Sequence, residues 1–156
     1  MKLDQYDLKL LDLLTSNSKL TITELSEACG LTRTPVFERI RKMEEHSVIV
    51  GYKAKVDLEE IGFSIHAFCN VSLKEHSKAF LTTFEEEIVA HKEVITCHHI
   101  AGMFDYLLEI RVKDMQAYQT LISEKLAGME NIGNVQSSFV MKAIRQDSAP
   151  PFALKS

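Results

Sequence analysis

A leucine followed by a helix-capping side chain occurs three times near the start of the chain. The three pairs are Leu3-Asp4, Leu20-Thr21 and Leu31-Thr32. Such a cap stabilises a helix start by roughly 1 kcal/mol, and the preceding leucine can pack onto the first turns. Gly30 can supply the left-handed residue of a tight turn between the second and third helices. The pattern predicts a helix-turn-helix over about residues 21–42, within an N-terminal domain of residues 1–47.

The third predicted helix has one apolar side and one polar side. Val36, Ile40 and Met43 share a side because they are spaced i, i+4 and i+7. Its first turn lacks large apolar side chains, which is typical of a helix that enters the DNA major groove. We therefore predict DNA binding by Thr32, Arg33, Thr34, Pro35, Glu38, Arg39, Arg41 and Lys42. An ordinary amphipathic surface helix is the alternative.

These residues are expected to have different roles. Base reading is assigned to Arg33, Thr34 and Glu38, and phosphate contact to Arg41 and Lys42. Thr32 is expected to cap the helix, with Pro35 tolerated in the first turn. Arg39 flanks the apolar stripe, so it could pair with an acid of the first helix or bind a phosphate. The net charge is −4, but residues 31–55 hold six basic and three acidic side chains, which favours a local DNA-binding patch.

Composition indicates a soluble globular protein of the cytoplasm. Hydrophobic residues make up 46% of the chain and charged residues 26%. The cysteines are three, an odd number, in apolar surroundings, which favours reduced thiols over disulfides. No apolar run approaches the ~18 residues of a membrane span, and no signal peptide is recognisable.

Residues 48–62 are expected to form a hinge strand and linker. From Ser47 to Val56 the pattern becomes strand-like, with Gly51 as a possible turn in a small wing or hinge. Lys53 and Lys55 would share one face of a strand, where they either reach phosphates or are simply solvated.

Residues 63–145 show the order strand, helix, strand, strand, helix, strand. The first strand, Ile65–Leu73, is apolar at every odd position, and two further strands flank Ala101-Gly102-Met103 as a hairpin. The final strand is expected over 134–144, and the tail 146–156 is expected to be irregular. The chain is therefore an α+β protein of two domains, the second a ferredoxin-like sandwich with two helices on one face of the sheet. The other face of the sheet has no helix to cover it, and such a face is commonly covered by a partner subunit. A homodimer is therefore expected.

Several motifs in this order resemble the leucine-responsive regulatory protein/AsnC (Lrp/AsnC) family of transcription regulators. They are Leu3-Asp4-x-x-Asp7, Thr32-x-x-Pro35-Val36-x-x-Arg39-Ile40, Val48-Ile49-x-Gly51-Tyr52, Gly62 and Gly102-x-Phe104-Asp105-Tyr106. The resemblance covers nearly the whole chain. It implies sequence-specific binding to double-stranded DNA, dimers that often assemble into octamers, and a small amino acid as effector between dimers, without a further cofactor.

The same resemblance implies an effector site. Its residues would be Ala101, Gly102, Phe104, Asp105 and Tyr106, with Gln136 and Ser137 facing this loop across the contact between dimers. Asp105 would either sense the ammonium group or fix the loop. Ala101 stands where a threonine is common and Phe104 where a tyrosine is common, which implies a less polar pocket, or one that has lost its effector.

Other functions have weaker support in the sequence. Cys97 and His99 could share one face of a strand as metal ligands, but ordinary sheet residues are the favoured interpretation and we predict no metal. We predict no enzyme, because the sequence has no glycine-rich phosphate loop, nucleophile–base pair or carboxylate dyad. An amino-acid-binding or assembly module whose helix-turn-helix makes protein contacts is the alternative function.

Overall fold

Two units of the chain each have their own hydrophobic core in the computed structural model, which describes residues 1–144 and Phe152. The first contains residues 1–55 and the second contains residues 56–144. Phe152 packs against the core of the first unit. The rest of the irregular tail predicted for 146–156 lies outside the described residues.

The first unit consists of α1 (Gln5–Ser16), α2 (Ile22–Cys29) and α3 (Arg33–Glu45). Two of the three predicted caps are confirmed as reciprocal capping boxes: Asp4 with Asp7 begins α1, and Thr21 with Glu24 begins α2. Gly30 ends α2 at φ +68°, in the left-handed region that lets the chain turn at once into α3. The buried core is Leu10, Leu11, Leu14, Leu25, Cys29, Val36, Ile40 and Met43.

The second unit confirms the predicted βαββαβ order. Its elements are β1 (Ile65–Leu73), α4 (Lys78–Ile88), β2 (Val94–His99), β3 (Tyr106–Val112), α5 (Met115–Thr120) and β4 (Ile132–Phe139). The sheet is antiparallel, in the order β2-β3-β1-β4. Such an arrangement has two helices on one side of four strands, as a ferredoxin-like sandwich requires.

Burial alternates along the two central strands. The odd positions of β1 from Ala67 onward and the even positions of β3 are buried, together with Phe84 and Ile88 of α4 and Tyr118 of α5. The opposite positions form what we call the open face of the sheet: His66, Phe68, Asn70, Ser72, Leu107, Glu109, Arg111, Gln136 and Ser138. Both helices of the unit therefore pack against the other face.

Three local features differ from the sequence-based expectation. Residues 50–57 form neither strand nor helix, because a strand-like alternation needs a neighbouring strand and the described chain offers none there. The last strand is shifted to Ile132–Phe139 from the predicted 134–144. The second helix of this unit continues as a π-helical segment, Leu121–Leu126, in which the Ala127 N–H donates to the Ile122 carbonyl.

No helix in the described part of the chain is long and apolar enough to cross a bilayer.

Candidate DNA-binding helix and effector loop

The N-terminal end of α3 is exposed, as a DNA-reading helix requires. Thr32, Arg33, Thr34 and Pro35 are all exposed, and so are Glu38, Arg41 and Lys42 further along. The other side of the helix is anchored in the core of the first unit by Val36, Ile40 and Met43. The predicted polar face of α3 is therefore exposed to solvent, and the opposite face is packed into the core.

Thr32 occupies the N-cap position but makes no capping hydrogen bond, contrary to the expectation. A threonine cap accepts the N–H of the second or third helical residue. The third helical residue here is Pro35, which has no N–H, so one of the two possible donors to the cap is missing. The Thr32 hydroxyl is therefore not committed to the helix start.

Arg39 is the predicted DNA contact that the structure places in a network with α1. Its Nη1 donates to Asp4 Oδ2 at 2.8 Å and to Asp7 Oδ1 at 2.7 Å. Its guanidinium also lies 5.5 Å from the centre of the Tyr6 ring. The pKa of Asp4 is lowered from its ordinary value, mainly by the hydrogen bond from the Asp7 N–H and to a smaller extent by Arg39. The sequence left two roles open for Arg39, pairing with an acid of the first helix and binding a phosphate. The structure shows the pairing.

Phe37 belongs to the exposed face of α3 although the sequence analysis did not select it. Its side chain is 55% exposed, whereas its neighbour Val36 is fully buried. The available signal was its spacing: it is four residues from both Arg33 and Arg41, and neighbours at i and i+4 share a helix face.

The predicted effector loop connects β2 to β3. The Ile100 N–H donates to the Asp105 carbonyl at 2.8 Å, which closes the loop, and Ala101, Gly102 and Met103 are exposed at its tip. Gly102 has a φ of +153°, a backbone conformation that residues other than glycine rarely adopt.

Asp105 fixes this loop to the end of β1. Its Oδ2 accepts the Leu73 N–H at 2.7 Å, its Oδ1 lies 3.0 Å from His76 Nε2, and its own N–H donates to the Val71 carbonyl. The Leu73 N–H is the main reason why the pKa of Asp105 is lowered, and His76 adds to the effect. Both carboxylate oxygens are thus engaged within the unit.

The two aromatic residues of the predicted site are placed differently. Tyr106 is buried, its hydroxyl donates to Glu85 Oε1 at 2.9 Å, and its ring stacks on His99 at 4.7 Å. Burial, together with Glu85, raises the pKa of Tyr106. Phe104 is half-buried in the loop itself. Tyr106 therefore belongs to the helix-covered side, and Phe104 remains next to the loop tip.

Gln136 and Ser137 lie on opposite faces of β4. Ser137 pairs with the buried Cys69 across the strands and accepts a hydrogen bond from the Tyr118 hydroxyl on the helix-covered side. Burial raises the pKa of Tyr118. Gln136 lies on the open face beside Asn70. The structure consequently does not bring these two side chains together within one chain.

Cys97 and His99 share a face of β2, as the alternation predicted. His99 is stacked on Tyr106, and Cys97 packs partly against the core, where burial raises the pKa of its thiol. Within residues 1–144 and Phe152, no group of three or more His, Cys, Asp or Glu side chains is arranged to hold a metal ion.

Two family models match the chain and follow the division into two units. Residues 3–50 match a winged helix-turn-helix DNA-binding domain. Residues 66–150 match the Lrp/AsnC ligand binding domain. The helix-turn-helix and the βαββαβ sandwich described above are therefore the two parts of one known architecture.

Similar proteins agree over nearly their full length. The Bkd operon transcriptional regulator of Pseudomonas aeruginosa is 35% identical over 150 residues, covering 96% of this chain and 98% of the relative. The DNA-binding transcriptional activator DecR of Escherichia coli is 32% identical over 149 residues, with shares of 96% and 98%. A crystal structure of a Neisseria meningitidis transcriptional regulator in complex with L-Met is similar at a TM-score of 0.92 and 31% identity, with shares of 96% and 97%. The chain belongs to the Lrp/AsnC family of transcription regulators.

Proposed function

We propose that this regulator binds specific double-stranded DNA through the exposed face of α3 in each subunit of a dimer, and that a small amino acid at the second unit modulates the binding. The observation that carries the DNA-binding part is the free, basic N-terminal end of α3 above a fully anchored apolar face. The protein would act in the cytoplasm, where DNA is accessible to it.

The residues of α3 divide by position along the helix. Arg33, Thr34 and Glu38 are in the first turns, where side chains of a recognition helix reach base edges. Arg41 and Lys42 lie further along the helix, where we expect them to contact phosphates, and the Thr32 hydroxyl can also donate to a phosphate. We leave Arg39 out of the proposed contact set, because Asp4 and Asp7 engage its guanidinium.

A dimer through the open face would supply the second α3. Phe68 and Leu107 place apolar area there. Among the described residues, Arg111 Nε is buried without a hydrogen bond, although it lies 4.0 Å from Glu109 Oε1. A second sheet packed on this face would bury the apolar side chains and could satisfy Arg111. Two recognition helices of a dimer enter successive major grooves about 34 Å apart, so the operator should be a pseudo-palindrome.

The effector would bind at the loop of residues 100–105, between dimers assembled as an octamer. The support is the exposed tip with Gly102 and the L-Met found in the similar Neisseria meningitidis regulator. Because Asp105 is engaged by Leu73 and His76, we assign it to fixing the loop, so the ligand would be held mainly by backbone groups of the tip. A ligand can change DNA affinity only if it prefers one assembly over another.

Competition between DNA duplexes tests the DNA-binding part. A duplex selected from random sequence should displace labelled operator far better than unselected duplex at the same salt concentration. Arg33→Ala should reduce this preference, whereas Lys42→Ala should weaken binding to both duplexes and lower the slope of log K against log salt by about 1. Equal competition by both duplexes would instead favour an assembly module whose helix-turn-helix contacts protein.

Thermal unfolding in the presence of each of the twenty amino acids tests the effector part. A ligand that binds only the native protein raises the unfolding midpoint by mass action, about 2.7 kcal/mol of stability at a hundredfold excess over its dissociation constant. One or a few amino acids should raise the midpoint. A flat response would show that this member works without such an effector.

A further inference from the structure

Phe37 is a large apolar side chain on the polar face of α3. Val36 and Ile40, on either side in sequence, are buried in the core, while Phe37 is 55% exposed. Burying a phenylalanine side chain fully contributes on the order of 1.5–3 kcal/mol of stability. Because Phe37 is largely exposed, the fold gains only part of this free energy. A single exposed apolar residue is common on proteins, so its surroundings must decide whether it has a partner.

The side chains one helical turn before and after Phe37 are both basic, although Glu38 follows it in sequence and Glu45 lies 3.4 Å from Arg41. Arg33 precedes it by one helical turn and Arg41 follows it by one turn, and both are exposed, with Lys42 next to Arg41. A second copy of this surface would bring like charges together, which disfavours it as the occupant. A polyanion that also carries an apolar group could pair with Arg33 and Arg41 and pack that group against the Phe37 ring.

DNA presents one such apolar group to a recognition helix. In the major groove, thymine alone among the four bases carries a methyl group, at C5, and phenylalanine can pack on it. Arginine at the start of the helix prefers O6 and N7 of guanine. The face of α3 therefore combines a guanine-type donor at Arg33 with an apolar surface one turn later.

We propose that Phe37 reads a thymine in each operator half-site by packing its ring against the C5 methyl group. This rests on the proposed binding of DNA by α3. One helical turn advances about 5.4 Å, and successive base pairs are ~3.4 Å apart. The thymine therefore lies one or two base pairs from the base that Arg33 contacts.

The test uses deoxyuridine, which is thymidine without the methyl group. A preferred duplex is first selected from random DNA with the full-length protein, and each thymine is then replaced by deoxyuridine in turn. Removing one buried methyl group should weaken binding of the wild-type protein about fourfold for each half-site, at one thymine position. Phe37→Ala should bind the thymine and deoxyuridine duplexes equally well, and Phe37→Leu should retain part of the difference.

Two controls separate this inference from the function beneath it. Lys42→Ala should weaken both duplexes but keep their ratio, and thermal unfolding should show that Phe37→Ala folds like the wild type, since the ring is not in the core. The inference is overturned if no thymine position is sensitive in the wild type, or if Phe37→Ala keeps the same ratio. If no sequence is enriched from random DNA, the proposed DNA-binding function fails, and the assignment of Phe37 fails with it.

Discussion

Arg39 on α3 and Asp7 on α1 form an ion pair in which Nη1 and Oδ1 are 2.7 Å apart. The Asp7 side chain is only 4% exposed, and its other oxygen accepts the Asp4 N–H of the capping box. One carboxylate thus begins the first helix and holds the last helix of the unit. We therefore expect the orientation of α3, the proposed DNA-binding helix, to depend on this link as well as on the apolar core.

Arg39→Ala should destabilise the first unit by about 1–3 kcal/mol, because it removes the charged donor from a nearly buried carboxylate. Urea unfolding followed by circular dichroism measures the change. Arg41→Ala is the matched control: its partner Glu45 is exposed at 3.4 Å in the same helix, and such surface pairs contribute below about 1 kcal/mol. Equal losses in the two variants would show that the pairing to α1 is not what stabilises the unit.

Thr21→Ala and Thr32→Ala should differ although both threonines are N-caps. Thr21 accepts the Glu24 N–H, so its loss should cost about 1 kcal/mol. Thr32 makes no such bond, so its replacement should cost only a few tenths of a kcal/mol. Urea unfolding of both variants under one condition checks this. A Thr32→Ala variant as unstable as Thr21→Ala would mean that Thr32 caps the helix after all.

The stability of the second unit should depend on the ionisation of Asp105. Its pKa is lowered in the folded protein from an ordinary value of 3.8, so the carboxylate stabilises the fold above that pH. The contribution is lost as the pH falls through 3.8 toward the lower folded pKa. Asp105→Asn should cost about 1 kcal/mol at neutral pH, and the gap to the wild type should narrow in acid. Thermal unfolding between roughly pH 5 and pH 2 measures it; a constant gap would contradict the assignment.

Leu107→Asp should dissociate the proposed dimer. Leu107 lies on the open face opposite Asn70, and a buried carboxylate without a partner in a dimer interface costs several kcal/mol. Sedimentation should show a shift toward single chains with the secondary structure retained. Val89→Asp, at an exposed position after α4, is the matched control and should leave the mass unchanged. A folded Leu107→Asp variant of unchanged mass would place the interface elsewhere.

Local signals made much of the fold predictable. The caps at Asp4 and Thr21 and the turn at Gly30 are short-range features, and so is the alternation of β1, because one buried face imposes a period of two. The boundaries and order of these elements follow from a few neighbouring residues each. The uncapped Thr32 also had a local signal, since Pro35 is visible in the sequence.

Features that depend on distant partners were not predictable in the same way. Arg39 pairs with residues 32 and 35 positions earlier, and no local pattern distinguishes that pairing from a phosphate contact. The resemblance placed both Gln136 and Ser137 towards the loop, whereas the strand register puts Ser137 next to Tyr118 and Gln136 on the open face. The π-helical segment has no sequence period of its own over so few residues.

Gly102 limits how the effector loop can diversify. Residues other than glycine rarely adopt its φ of +153°, while the space around a hypothetical Cβ is empty, so the restriction is conformational and not one of crowding. Substitution there would strain the loop whatever the ligand. If the proposed effector binds at this loop, its selectivity should therefore respond to substitutions at the exposed Ala101 and Met103, whereas substitutions at Gly102 should act through the backbone.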